Sequence, residues 1–252
     1  MFSDFITPIK SNIYEARLVK NEKELRAYQK LRYNYLLLDA FPDRNDEIKL
    51  DLHHGYDADC AQLCVFYNNP NTGEEELVGG YLLMRFKNEH TVCTTSSEYD
   101  LTKLLVKHRY EILELSRAVV HPDHRNGAVL RLLWSGIMAY AQTYNLRYLI
   151  GIVNFKGLDP TKYDQALGYL YHNYLMPDDI MVSALPGSHR MNVLKSEKIA
   201  RDEAISQIPS ILKGYLLQGA EVGNGMFIDR VFQSVDVFVI LDLTKHGRFP
   251  LK

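Results

Sequence analysis

The sequence predicts an α/β fold, and three observations predict it. Segments with strand-like alternation interleave along the chain with segments of helical spacing, the pattern of packed sheet and helix layers. EILELSRAVVHPDHRNGAVLRLLW, from Glu111 to Trp134, reads as strand, polar loop and helix in one run. VDVFVILDL at 235–243 is the near-continuous apolar run of a buried strand.

The elements follow in order. YEARLV at 14–19 is a short strand. Asn21 is placed to cap a helix, with Glu24 at the capping-box position, and the helix runs to about residue 38. Residues 43–61 are polar and without period, so they read as a loop. QLCVFY (62–67) and ELVGGYLLMRF (76–86) flank the dense turn signal NNPNTGEE, which predicts a hairpin. A strand over 111–120 leads through a loop with Pro122 and Gly127 to a helix over 128–144. RYLIGIVNF (147–155) is a strand and TKYDQALGYLYHNY (161–174) a helix. Residues 176–208 carry no clear period. ILKGYLLQGA (211–220) reads as a helix despite Gly214, and the run at 235–243 closes the series.

At 252 residues and 46% hydrophobic the chain can bury a sizeable core, and one domain is expected over 1–252. Lys and Arg total 29 against 31 Asp and Glu, with no basic stripe, which argues against nucleic-acid binding. MFSDFITPIK has no long apolar stretch, so no signal peptide is expected, and no window suits a membrane span. Cys60, Cys64 and Cys93 fit no zinc spacing and read as free thiols. His53, His54, Asp57 and Asp59 match no metal pattern either, so no metal is expected.

The strand at 111–120 carries the chemistry. Alternation puts Glu114 and Ser116 on one face and Arg117 on the other. A glutamate on an apolar strand is costly to bury unless it is paired or functional. Desolvation would suit it to general-base work, and a structural Glu–Arg pair is the competing reading. PDHRNG leads into a helix whose free N–H groups suit a phosphate, with Arg125 adding charge.

Strand, polar loop with Arg and Gly, then helix resembles the core of the Gcn5-related N-acyltransferase fold. Glu-Leu-Ser-Arg at 114–117 resembles the Glu-x-Ser-Arg strand of acyl-homoserine-lactone synthases and N-acyl amino acid synthases. Over most of the chain the sequence is similar to the bacterial ornithine N-acyltransferases, also called hemolysin-like. The similarity rests on LRY at 31–33, GYDADCAQLCV at 55–65, ELSRAVVHPDHR at 114–125, GIVNFKGLDP at 151–160, LKGYLLQGAEVGNGMFID at 212–229 and the final strand. Gln62 and Asn154 stand where that family has His and Ser.

The resemblance implies a mixed twisted sheet flanked by helices, with a core over about 14–175 and a C-terminal extension over about 176–252. It implies transfer of a long-chain, 3-hydroxylated acyl group to the α-amine of an amino acid, ornithine first among candidates, to give lyso-ornithine lipid. Glycine or tyrosine as acceptor, or a non-catalytic relative that binds acyl carrier protein or lipid, are the alternatives. Glu114 would be the base and Ser116 would assist at the oxyanion. Arg32, Arg117, Arg125, Asn126 and Gly127 would serve the donor, with structural roles open for Arg32 and Arg117. Asp57 and Asp59 would meet a cationic acceptor, or be solvated loop acids. The loop R-N-G-A lacks the second glycine of the usual Gcn5-related loop, which suits the single phosphate of acyl carrier protein better than coenzyme A. No permanent cofactor is implied. The cytoplasm is implied as location, with contact at the membrane face.

Overall fold

The computed structural model describes residues 3–52 and 56–245. His53 and His54 lie outside them. Strands β1 (Ile9–Ser11) and β2 (Tyr14–Leu18) precede α1 (Glu22–Arg32). A π-helical turn at Tyr33–Leu37 carries the helix on into α2 (Leu38–Ala40), a little past the expected end. Then come α3 (Tyr56–Asp59), β3 (Ala61–Asn68), β4 (Glu75–Arg85), a 3₁₀ turn at Thr94–Ser97, β5 (Tyr99–Asp100) and α4 (Thr102–His108). β6 (Ile112–Val120), α5 (Ala128–Thr143), β7 (Tyr148–Lys156) and α6 (Asp164–Tyr174) follow. The chain ends through β8 (Ser183–Ala184), α7 (Arg201–Gln207), α8 (Ser210–Leu217), β9 (Glu221–Val222), β10 (Phe227–Asp229) and β11 (Ser234–Asp242).

The chain forms two compact units that interleave along the sequence. Among the described residues, one comprises those up to Arg85 and Leu115–Leu146; the other comprises Phe86–Glu114 and those from Arg147 to Lys245. Residues 86–114 group with the C-terminal segments.

In the first unit β1, β2, β3 and β4 form an antiparallel series, with the later part of β6 next in the sheet order. Two successive glycines of β4 explain the layering. A Cβ on Gly79 would lie 2.7 Å from Val129 Cγ1 of α5, and one on Gly80 would lie 2.5 Å from the Tyr28 ring of α1. Neighbouring strand residues face opposite ways, so the two helices press on opposite faces of the sheet. Asn21 caps α1 as expected, its side chain accepting from Glu24 N at 3.0 Å. Helix α5 buries Val129, Leu132, Leu133, Gly136, Ile137, Tyr140 and Ala141, the i, i+3, i+4, i+7 stripe of a core-facing helix.

In the second unit β11 pairs antiparallel with β7 over nine residues, from Ser234↔Lys156 to Asp242↔Tyr148. β10 and β9 also pair with β11, and every residue of β11 is buried. The opening residues of β6 run parallel to β7 from Ile112↔Tyr148 to Glu114↔Ile150. β5 and β8 form a separate two-stranded ribbon. Cys60, Cys64 and Cys93 are free and buried. Among the described residues no helix is long and apolar enough to cross a membrane.

Candidate active site

The first unit buries a polar network around Arg32, which is 0% exposed. Its Nη1 and Nη2 donate to Asp57 Oδ1 and Oδ2 at 2.9 and 3.0 Å, and Nη2 also donates to the Asp51 carbonyl. Its Nε lies 3.1 Å from Asp51 Oδ2. Gln29 Nε2 donates to Asp57 Oδ2 at 2.9 Å. Burial works against the Arg32 charge, but the Asp57 hydrogen bonds and the neighbouring Tyr28, Asp51 and Asp57 outweigh it and hold the guanidinium pKa above its usual value. Two expectations are corrected here. Arg32, expected at the donor or in a structural salt bridge, is sealed from solvent and pairs with Asp51 and Asp57. Asp57 was expected at the acceptor, but its carboxylate is the counter-ion of Arg32. Asp59 is exposed on α3.

Strand β6 reaches the same network. Arg117 Nε lies 3.5 Å from Asp51 Oδ2, and Tyr28 Oη donates to the Arg117 carbonyl at 2.9 Å. Arg117 has φ +54°, a left-handed conformation that costs a non-glycine residue of order 1–3 kcal/mol and persists where neighbours fix it. Ser116 beside it is partly buried.

The loop after β6 builds the start of α5. Gly127 has φ +84° at the cap position, and Asn126 Oδ1 accepts from Ala128 N at 3.0 Å. Arg125 is exposed, its Nε donating to the Val120 carbonyl at 3.0 Å. His121 Nε2 and His124 Nδ1 pair with the hydroxyls of Tyr35 and Tyr14 at 2.8 and 2.9 Å. These contacts fix the loop at the N-terminus of a sixteen-residue helix, where Asn126 takes up the Ala128 amide.

Glu114 belongs to the second unit and is 1% exposed. Its Oε1 accepts from Thr94 Oγ1 at 2.8 Å, Thr95 N at 2.7 Å and Thr95 Oγ1 at 2.5 Å; its Oε2 accepts from Thr94 N at 3.0 Å. A carboxylate with four such donors is an anchor for the turn at Thr94–Ser97. It is not open in the way a base needs to be.

That turn ends at Glu98, whose N–H donates to the Thr95 carbonyl at 3.1 Å. One oxygen each of Glu98, Asp229 and Asp236 lies within 4.8 Å of the others. Asp236 is 1% exposed, and Asn154 Nδ2 donates to its Oδ1 at 2.7 Å. Burial first, then the charges of Asp236 and Asp229, push Glu98 up to about 8. Burial likewise raises Asp236, against the hydrogen bonds of Ser234 and Asn154.

Asp51, Thr94, Thr95 and Glu98 leave no signal in the sequence: Asp51 sits in a polar loop, and the threonines lie in a stretch with no period. Asp236 did leave a signal, a lone acid near the start of the most apolar strand in the chain.

Comparison with known proteins bears on this geometry. Residues 37–135 match the family model described as an acetyltransferase (GNAT) domain. The chain is 32% identical over 245 residues to the L-ornithine N(alpha)-acyltransferase of Rhodobacter capsulatus, covering 94% of each chain. It is 31% identical to the enzyme of the same name from Agrobacterium fabrum, covering 93% of this chain and 83% of that one. Among solved structures it superposes on FeeM, an N-acyl amino acid synthase from uncultured soil microbes, with a TM-score of 0.53 at 13% identity, covering 95% of this chain and 93% of that one; this supports the fold alone. With relatives of that identity along nearly its whole length, the chain belongs to the ornithine N-acyltransferase family of the Gcn5-related acyltransferases.

Proposed function

We propose that the protein transfers a long-chain 3-hydroxyacyl group from acyl carrier protein to the α-amine of ornithine, giving lyso-ornithine lipid. The observation that carries the reading is the 32% identity to an L-ornithine N(alpha)-acyltransferase along 94% of the chain. The loop before α5 supports the carrier-protein donor. It offers one left-handed glycine, Gly127, and one arginine, Arg125, a set suited to a single phosphate.

In this reading Arg125, Asn126, Gly127 and the α5 amides hold the phosphopantetheine phosphate. Arg32 and Arg117, locked on Asp51, keep α1 and β6 in register behind it. Ser116 and backbone N–H groups of β6 serve the oxyanion that forms as the amine adds to the thioester carbonyl. The C–N bond forms, the C–S bond breaks, and the thiol leaves protonated. No resident cofactor takes part. The enzyme works in the cytoplasm and releases its amphiphilic product at the membrane face.

Purified protein is incubated with a 3-hydroxyacyl carrier protein, or with the matching acyl-CoA, and a pool of amino acids, and the products are read by mass spectrometry. An ornithine amide formed faster from the carrier protein supports the reading. A glycine or tyrosine amide replaces the acceptor, a faster reaction with acyl-CoA replaces the donor, and no amide from either donor overturns it.

A further inference from the structure

Deprotonation of the acceptor needs a base with a free lone pair, and the second unit holds one. We infer that Glu98 takes the proton from the acceptor ammonium, and that Glu114 and Asp236 are positioning residues that hold Glu98 for that step. The inference rests on the transfer reading above.

Four observations carry it. Glu114 is filled by Thr94 and Thr95, and Thr95 in turn accepts from Glu98 N, so the Glu114 carboxylate fixes the turn that presents Glu98. On the other side Tyr99 Oη donates to the Asp236 carbonyl at 2.7 Å, which ties the residue after Glu98 to β11. Glu98 is thus clamped from both neighbours, the preorganisation a proton-transfer group requires. Second, Glu98 Oε2 is shut off from solvent, no donor among the described residues reaches it, and the hydrogen-bonding neighbour of its carboxyl is another acid, Asp236. An oxygen so placed is the exception that calls for an occupant.

Third, the groups that face Glu98 are Asp236 of β11, Asp229 of β10 and Glu114 of β6, all acidic, and among the described residues no Lys, Arg or His forms an ion pair with them. Clustered like charges without a counter-ion, Asp236 buried and Glu98 and Asp229 half-buried, hold a proton or a cation. An ammonium supplies both, because it arrives as the cation and leaves its proton behind. Fourth, Asp229 Oδ1 is occupied by Val231 N at 2.6 Å and Phe232 N at 3.0 Å, and Asp236 Oδ1 by Asn154, so Glu98 has the freest oxygen of the three. The raised pKa of Glu98 agrees, since a base that titrates near that of an amine shares the proton evenly with it.

The step balances. R–NH₃⁺ gives one proton to the Glu98 carboxylate. The nitrogen lone pair forms the C–N bond, and the C–S pair leaves on sulfur. The second amine proton passes to the thiolate, giving amide and free thiol, and Glu98 releases its proton to solvent.

The test compares wild type, Glu98→Gln, Glu98→Asp, Asp236→Asn and Glu114→Gln in the transfer reaction, over pH 6 to 9.5, with thermal melts confirming that each variant is folded. Glu98→Gln is expected to lower kcat about 10²- to 10⁴-fold with the donor KM unchanged, and Glu98→Asp to recover part of it. A general base works ionised, so wild-type kcat/KM rises with pH through the Glu98 pKa. Asp236→Asn removes a like charge that raises that pKa, so the rise shifts to lower pH. Glu114→Gln is expected to lose stability and rate together. A folded Glu98→Gln with wild-type kcat and pH profile overturns the inference while leaving the transfer reading intact. So does a rate abolished by a chelator and restored by magnesium, because the three acids would then hold a metal. If wild type makes no amide, the transfer reading fails and the inference with it.

Discussion

Arg32 and Arg117 share one carboxylate oxygen: Asp51 Oδ2 lies 3.1 Å from Nε of the first and 3.5 Å from Nε of the second. The pairing joins a helix and a strand far apart in sequence, and it does so where Arg117 is held in a left-handed conformation. Removing one member of a buried ion pair leaves a charge with less compensation than its burial demands. Asp51→Asn is therefore expected to cost about 3 kcal/mol, the lower end for such changes because Asp57 still pairs with Arg32. Urea unfolding measures it. A loss below about 1 kcal/mol, the range of an exposed pair, contradicts the buried network.

Gly80 tests the layer packing of the first unit. An added methyl would meet the Tyr28 ring at 2.5 and 2.9 Å and Cys64 Sγ at 3.1 Å. Gly→Ala gains about 0.4–1 kcal/mol by restricting the unfolded chain, while overpacking a core costs about 1–3 kcal/mol. The clash wins, and Gly80→Ala is expected to lower the Tm. Tyr28 also donates to the Arg117 carbonyl, so activity should fall in step. A Tm at or above wild type contradicts the close approach of α1.

Gly127 tests the start of α5. With φ +84° and only Arg131 Nη1 near an added Cβ, at 3.5 Å, the cost of Gly127→Ala is backbone strain and not a clash. About 1 kcal/mol is expected, with a raised KM for the acyl donor and an unchanged KM for the acceptor. An unchanged donor KM removes Gly127 from the donor site.

Asp242 sets a pH limit. Burial works to raise its pKa, but hydrogen bonds from Arg147 and Thr244 and the Arg147 charge bring it down to about 2. The folded value lies below the unfolded one of about 3.9, so the stabilisation is full above about pH 4 and is lost as pH falls through 2. The half-exposed Arg147 partner keeps the size to about 1–2 kcal/mol. Unfolding free energies of wild type and Asp242→Asn should converge on acidification from pH 5 to pH 2. A constant difference contradicts the assignment.

Much of this was legible in the sequence where periodicity is strong. The cap at Asn21, the hairpin of β3 and β4, β6, α5 and the buried β11 all fall where residue patterns place them. The short elements α3, α4 and α7 were not, since four to seven residues carry too little period, and tertiary packing decides them. The same division holds at the site. Glu114 announced itself as an acid on an apolar strand. Its partners Thr94 and Thr95 did not, because threonines in an irregular stretch carry no pattern, and without them the donors that fill Glu114 could not be anticipated. Asp57 looked like a loop acid until its pairing with Arg32 was visible.

The central claim is acylation of the α-nitrogen of ornithine. It is tested most directly by supplying ornithine labelled with ¹⁵N at the side-chain amine alone, together with a 3-hydroxyacyl carrier protein, and fragmenting the product in a mass spectrometer. The expected product carries the label in its free amine and none in its amide. Label in the amide, or no ornithine amide at all, contradicts the account.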